Sequence, residues 1–91
     1  MNTFQLRITS PDGDAFSGAA TMLTLRGTEG DLAILANHIP FVTAVVPCRM
    51  KIETASGDIY AKVGGGLLSV SANEAVLLSS DYEVIDQPEA E

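Results

Sequence analysis

Apolar and polar residues alternate along nearly the whole chain, and this two-residue period predicts strands rather than helices. Phe4, Leu6 and Ile8 fall on one face of the first run, with Gln5, Arg7 and Thr9 on the other, as in a half-buried strand. Residues 14–17, 21–26, 32–35, 41–46, 49–54, 59–63, 67–71, 74–80 and 82–85 carry further strand signals. Turn residues separate them: Pro11-Asp12-Gly13, the Gly27 to Gly30 segment, Ala36-Asn37, Pro47, Ala55-Ser56-Gly57-Asp58 and Ser71-Ala72-Asn73. The clearest hairpin joins residues 49–54 to 59–63, with Met50 and Ile52 inward and Arg49, Lys51 and Glu53 outward. No window keeps a helical period for the ~10 residues a helix requires. About ten short antiparallel strands predict an all-β fold, a two-sheet β-sandwich or flattened barrel. Residues 1–85 form that one domain, and residues 86–91 read as an acidic, disordered tail.

The segment from Gly27 to Pro40 is the most distinctive. Two glycines three apart mark a sharp turn, and the acidic residues Glu29 and Asp31 belong on its solvent-facing tip. Residues 32–35 are expected to return to the interior as a buried strand. Ala36-Asn37 then turns, since Asn tolerates the left-handed region, and Pro40 holds Ile39 extended. An acidic loop and a turn bearing His38, the chain's only histidine, therefore flank one strand.

Hydrophobic residues make up 46% and aromatics 5% of the 91 residues, so aliphatic side chains must fill the core and no aromatic stacking platform is expected. The net charge is −7, and Asp81, Glu83, Asp86, Glu89 and Glu91 lie beyond the last base. Arg7, Arg26, Arg49, Lys51 and Lys62 are too few for a phosphate-binding face, which argues against nucleic acid. A single cysteine, Cys48, excludes an internal disulfide; with one histidine it leaves too few ligands for a structural zinc site, and it fits a reducing cytosolic setting. No apolar run approaches the ~20 residues that span a bilayer. The first residues lack the regions of a signal peptide, so membrane association is expected only through a partner.

Candidate chemistry is sparse. A hydrolase built on His38 lacks a Gly-x-Ser-x-Gly elbow and an orienting carboxylate nearby. Glu29 and Asp31 on an exposed tip have nothing to separate their pKa values as an acid and base. Gly64-Gly65-Gly66 enters a strand, not a helix, and no Lys-Ser/Thr follows it, so it reads as a bulge or a close approach of two backbones rather than a phosphate cradle. Cys48 reads as a small buried hydrophobe, and His38 as a capping or contact residue. No catalytic residue, metal or cofactor is expected.

In order and spacing, several segments resemble the N-terminal β-sandwich domain of the epsilon subunit of the rotary ATP synthase, over nearly all of residues 3–80. They are Ile8-Thr9-Ser10-Pro11, Phe16-Ser17-Gly18, Gly27-Thr28-Glu29-Gly30-Asp31-Leu32-Ala33-Ile34-Leu35 running into His38-Ile39-Pro40, Val63-Gly64-Gly65-Gly66-Leu67, and Ala75-Val76-Leu77-Leu78. The chain departs from the usual pattern at Ala33, where glycine is common, at Ala36-Asn37, where Pro-Gly is common, and at Gly64, where serine is common. The resemblance implies a non-catalytic rotor part of the central stalk, between the gamma subunit and the membrane ring of c subunits, that helps couple ion translocation to ATP synthesis. It places Glu29, Gly30 and Asp31 toward the ring and Ser10, His38 and Thr43 toward gamma. It also implies a peripheral position on the cytoplasmic face of the energy-coupling membrane, with no homo-oligomer. Typical members continue into two helices that restrain ATP hydrolysis and in some bind ATP, properties not assigned to these residues. The competing reading is a freestanding β-sandwich that binds carbohydrate or peptide.

Overall fold

In the computed structural model, which describes residues 2–37 and 39–85, the alternating runs become ten strands. They are β1 (Phe4–Ser10), β2 (Gly13–Ala20), β3 (Met22–Gly27), β4 (Gly30–Leu35), β5 (Phe41–Val45), β6 (Cys48–Thr54), β7 (Gly57–Val63), β8 (Gly66–Val70), β9 (Glu74–Ser79) and β10 (Tyr82–Ile85). The largest extension over the sequence reading is β2, which continues through Gly18, Ala19 and Ala20, small residues that show little alternation. The strands take the order β10-β7-β6-β3-β5-β8-β9-β1-β2, with β4 on the other side of β3. Only the pair Gly27↔Val45 joins β3 to β5. At that corner Val46 N–H donates to the Arg26 carbonyl at 3.1 Å and Thr28 N–H donates to the Ala44 carbonyl at 3.2 Å. The order therefore folds at the corner into sheet A (β10-β7-β6-β3-β4) and sheet B (β5-β8-β9-β1-β2), the expected sandwich or flattened barrel.

Alternation decides which side chains meet between the sheets. Leu23, Ile34, Met50 and Ile52 come from sheet A; Leu6, Ile8, Leu68 and Leu77 come from sheet B; all eight are fully buried. Each such side chain contributes about 1.5–3 kcal/mol relative to leaving it in water. Phe4 is also buried, while Phe16, Phe41 and Tyr82 pack against the cluster from its margin.

Two features differ from the sequence reading. β1 runs parallel to β9, through Arg7↔Val76 and Thr9↔Leu78, whereas every other pairing is antiparallel. No hairpin links these two strands, so a turn does not dictate their relative direction. Residues 32–35 are also less buried than expected. β4 pairs only with β3, and its single buried residue is Ile34; Leu35 is 50% exposed.

The turn chemistry follows the residues. Gly30 takes φ 123° just after the Thr28-Glu29 tip, and Asn37 takes φ 63°, doing with a side chain what glycine would do. Gly66 answers to a close approach, because a Cβ there would overlap the Leu78 carbonyl of the facing strand. Ser79, buried beside this run, places its Oγ 2.9 Å from the Gly65 carbonyl oxygen and 2.7 Å from that of Asp81.

Candidate functional site

The β3–β4 hairpin presents Glu29, Gly30 and Asp31 together at its tip, as the sequence predicts. The cross-strand pair Arg26↔Asp31 brings a guanidinium beside the second acid, and Arg26 Nε donates to Asp31 Oδ1 at 2.9 Å. That hydrogen bond and the attraction between the charges raise the Arg26 pKa above its ordinary value. Both groups stay solvated, so the pair steers more than it stabilises. Glu29 makes no ion pair among the described residues.

Backbone hydrogen bonds and close approaches place several other turns at the same end of the sandwich. The tip leads through the corner at Ala44 to Val46. Gly65 lies against the Val45 carbonyl and Pro47, Ser80 N–H donates to the Gly65 carbonyl at 3.4 Å, and Gly64 N–H donates to that of Asp81 at 3.2 Å. Ser79 and Ser80 then share a hollow of about 370 Å³ with Thr9, Ser10, Pro11 and Leu78. Asp12 and Asp81 thus join Glu29 and Asp31 at one end, where Arg26 is paired with Asp31 and Arg49 and Lys62 lie near Pro47.

The two outer faces differ in chemistry. The registers of sheet A put Asp31, Arg26, Lys51, Glu53, Arg49, Lys62, Asp58 and Glu83 outward, four bases against four acids. Lys51 Nζ lies 3.6 Å from Glu53 and 3.7 Å from Asp58, so this face is laced by its own charges. Sheet B instead turns Val42, Ala44, Leu67, Val76 and Leu78 outward in adjacent rows, Ala44–Leu67–Leu78–Thr9 and Val42–Ser69–Val76–Arg7. Val42 is 62% exposed, Leu78 49% and Leu67 44%. Leu35, Ile39 and Val84 are exposed elsewhere, but among the described residues only on sheet B do adjacent strands set several such side chains side by side, the kind of cluster that marks a place where another molecule packs.

Ser10 and Thr43 both lie on sheet B, three strand positions apart, on strands that border this apolar field. Ser10 closes β1, its Oγ donating to the Gly13 carbonyl at 3.3 Å. Thr43 is half-buried, sharing a side of β5 with Phe41 and Val45 while Val42 and Ala44 face out. His38, the third residue of that group, lies outside the described residues, as does the tail from residue 86. Sequence reasoning missed Val42, Leu67, Val76 and Leu78. The available signal was apolar residues on both phases of the alternation in Leu67-Leu68 and Val76-Leu77-Leu78, which leaves some of them facing outward. Cys48 is half-buried against the core rather than fully buried, with its Sγ 3.9 Å from the Arg26 carbonyl oxygen.

Comparisons with known proteins agree with this architecture. Residues 3–84 match the family described as the ATP synthase delta/epsilon chain β-sandwich domain. The sodium ion specific ATP synthase epsilon chain of Propionigenium modestum is 35% identical over 89 residues, covering 98% of this chain and 64% of that protein. The ATP synthase epsilon chain of Psychrobacter arcticus is 38% identical over 82 residues, covering 87% and 58%. The chain thus spans about three-fifths of the length of these relatives. Among solved structures, a chain of the Euglena gracilis mitochondrial ATP synthase, in its OSCP/F1/c-ring assembly, superposes with a TM-score of 0.86 at 19% identity, covering 96% of this chain and 56% of that one. A chain of the Tetrahymena thermophila mitochondrial ATP synthase central stalk and c-ring gives 0.72 at 19% identity, covering 89% and 66%. Both show the same fold.

Proposed function

The chain belongs to the ATP synthase delta/epsilon chain β-sandwich family, and from that membership we propose that it is a rotor part of the central stalk, joining the gamma subunit to the membrane ring of c subunits. The observation that carries this reading is the division of the surface: an exposed apolar field on sheet B beside an acidic tip. Gamma packs on the outer face of sheet B over Val42, Leu67, Val76 and Leu78; the resemblance assigns Ser10 and Thr43 to it as well, although the Thr43 side chain lies on the inner side of β5. The polar loops of the ring meet the end that holds Glu29, Gly30 and Asp31, with His38 on the gamma side as the resemblance assigns it.

The protein's contribution is mechanical. Ion-driven rotation of the ring passes to gamma through the sandwich, and a close-packed core deforms little under such load. Chemistry stays with other subunits: this part is non-catalytic, requires no cofactor, and sits peripherally on the cytoplasmic face of the energy-coupling membrane. The alternative of a carbohydrate- or peptide-binding module finds little support in the aromatic residues, since Phe4 is buried, Phe16, Phe41 and Tyr82 pack against the core, and Tyr60 stands singly on the charged outer face of sheet A.

Mixing the purified chain with isolated gamma tests the proposal by size-exclusion chromatography and mass. A stable one-to-one complex that then retains solubilised c ring is the expected result. Failure to bind gamma, together with binding to a glycan array or turnover of an ester, would overturn it.

A further inference from the structure

The apolar field of sheet B carries one cation at its border. Arg7 stands in the row Val42–Ser69–Val76–Arg7–Ser17, directly across from Val76 on β9 and two residues along from Leu78, which faces Thr9. Its side chain is exposed and makes no ion pair among the described residues. Two acids share this face, each opposite a residue two along from Arg7: Glu74 on β9, opposite Gln5, and Asp14 on β2, opposite Thr9; neither forms an ion pair with it among the described residues. Arg7 is also the only base outside sheet A, whose four bases share their face with four acids.

A partner that covers Val76 and Leu78 also covers Arg7, because neighbouring strands are only about 4.8 Å apart. Docking therefore strips water from a guanidinium, which is costly unless a counter-charge replaces it. The planar fork of Arg suits a carboxylate held by two parallel hydrogen bonds. We propose that gamma presents to sheet B an apolar patch carrying one Asp or Glu aimed at Arg7, so that this pair fixes the register of the rotor joint while Val42, Leu67, Val76 and Leu78 supply the buried area. This rests on the rotor reading above and adds to it the chemistry of the partner's surface.

The two energies differ in kind. Apolar burial is tolerant of sliding, whereas a desolvated charge pair is favourable in one position and unfavourable in its neighbours. A joint that transmits torque needs the second property as well as the first.

Binding of gamma to immobilised full chain tests the pair with Arg7→Met, Arg7→Lys, Glu74→Gln and Leu78→Asp, the melting temperature of each variant confirming its fold. Met preserves the stem and enlarges the apolar area, so it separates charge from packing. Arg7→Met is expected to weaken binding about thirtyfold or more, chiefly through faster dissociation, because it leaves the partner's carboxylate buried and unpaired. Arg7→Lys is expected to fall between, and Glu74→Gln to leave affinity unchanged. Equal or tighter binding by Arg7→Met overturns the proposal, as does a large loss in Glu74→Gln, which would make Glu74 the partner of Arg7. Leu78→Asp is expected to abolish binding; if it binds like the parent chain, sheet B is not the gamma surface and the pair is excluded while the rotor reading stands. If the parent chain does not bind gamma at all, that reading falls too.

Discussion

Arg26 and Asp31 face each other across the β3–β4 hairpin, the guanidinium Nε donating to the carboxylate Oδ1 at 2.9 Å. The two acids of the tip are therefore unequal. Asp31 already holds a cation, whereas Glu29 presents its full charge to whatever approaches. Reversing both charges, Glu29→Lys with Asp31→Lys, is expected to weaken attachment of the chain to solubilised c ring while leaving the melting temperature unchanged. Of the single changes, Glu29→Gln is expected to lose more attachment than Asp31→Asn. The loss should shrink as salt rises through the range in which exposed charges are screened. Pull-down on the ring across a salt series reads all three; unaltered attachment by the double Lys variant would refute the docking role of the tip.

Gly66 and Gly30 are glycine for different reasons, and substitution separates them. Gly30→Ala meets open space at φ 123°, so only the backbone conformation resists it, at about 1–2 kcal/mol. Gly66→Ala meets the Leu78 carbonyl, and relief requires two strands to part. Its cost is expected to exceed that of Gly30→Ala, reaching about 2–3 kcal/mol. Urea unfolding midpoints at constant slope check the order.

Leu68 and Leu77 are fully buried and directly paired between β8 and β9. Truncation of either to Ala is expected to remove about 2–5 kcal/mol of stability through lost burial and the remaining cavity. The double variant should differ from the sum of the singles because the two side chains share one space. A double-mutant cycle by denaturant unfolding measures the difference.

Tyr82 packs against the core margin, and burial raises the pKa of its phenol above the ordinary value of about 10. The folded state then holds this proton more tightly than the unfolded chain, so stability is lost as pH rises from that value through the folded pKa. Tyr82→Phe has no such proton and is expected to flatten this part of the alkaline loss. Thermal melts between neutral and strongly alkaline pH, compared between the two proteins, give the measurement.

Strand number and hairpin positions were legible because single residues enforce them. Alternation in Phe4-Gln5-Leu6-Arg7-Ile8 leaves one way to bury a face, and Gly30 and Asn37 occupy turns that few other residues permit. Partner choice between distant strands was not legible, since nothing local in Arg7 or Val76 announces that β1 lies parallel to β9. The acidic tip could be read from composition, but its inequality depends on a cross-strand register that sets Arg26 against Asp31. The apolar field was hidden for a similar reason. Val42, Leu67, Val76 and Leu78 come from three strands that only the assembled sheet places side by side.

The parallel pairing of β1 with β9 has a consequence for biosynthesis. The first strand made waits for the ninth, and until Ser79 has left the ribosome β1 has no neighbour except β2. Sheet B cannot close over Leu6 and Ile8 before then. Contacts this remote along the chain slow folding, and the aliphatic face of β1 stays uncovered while β9 is still being translated.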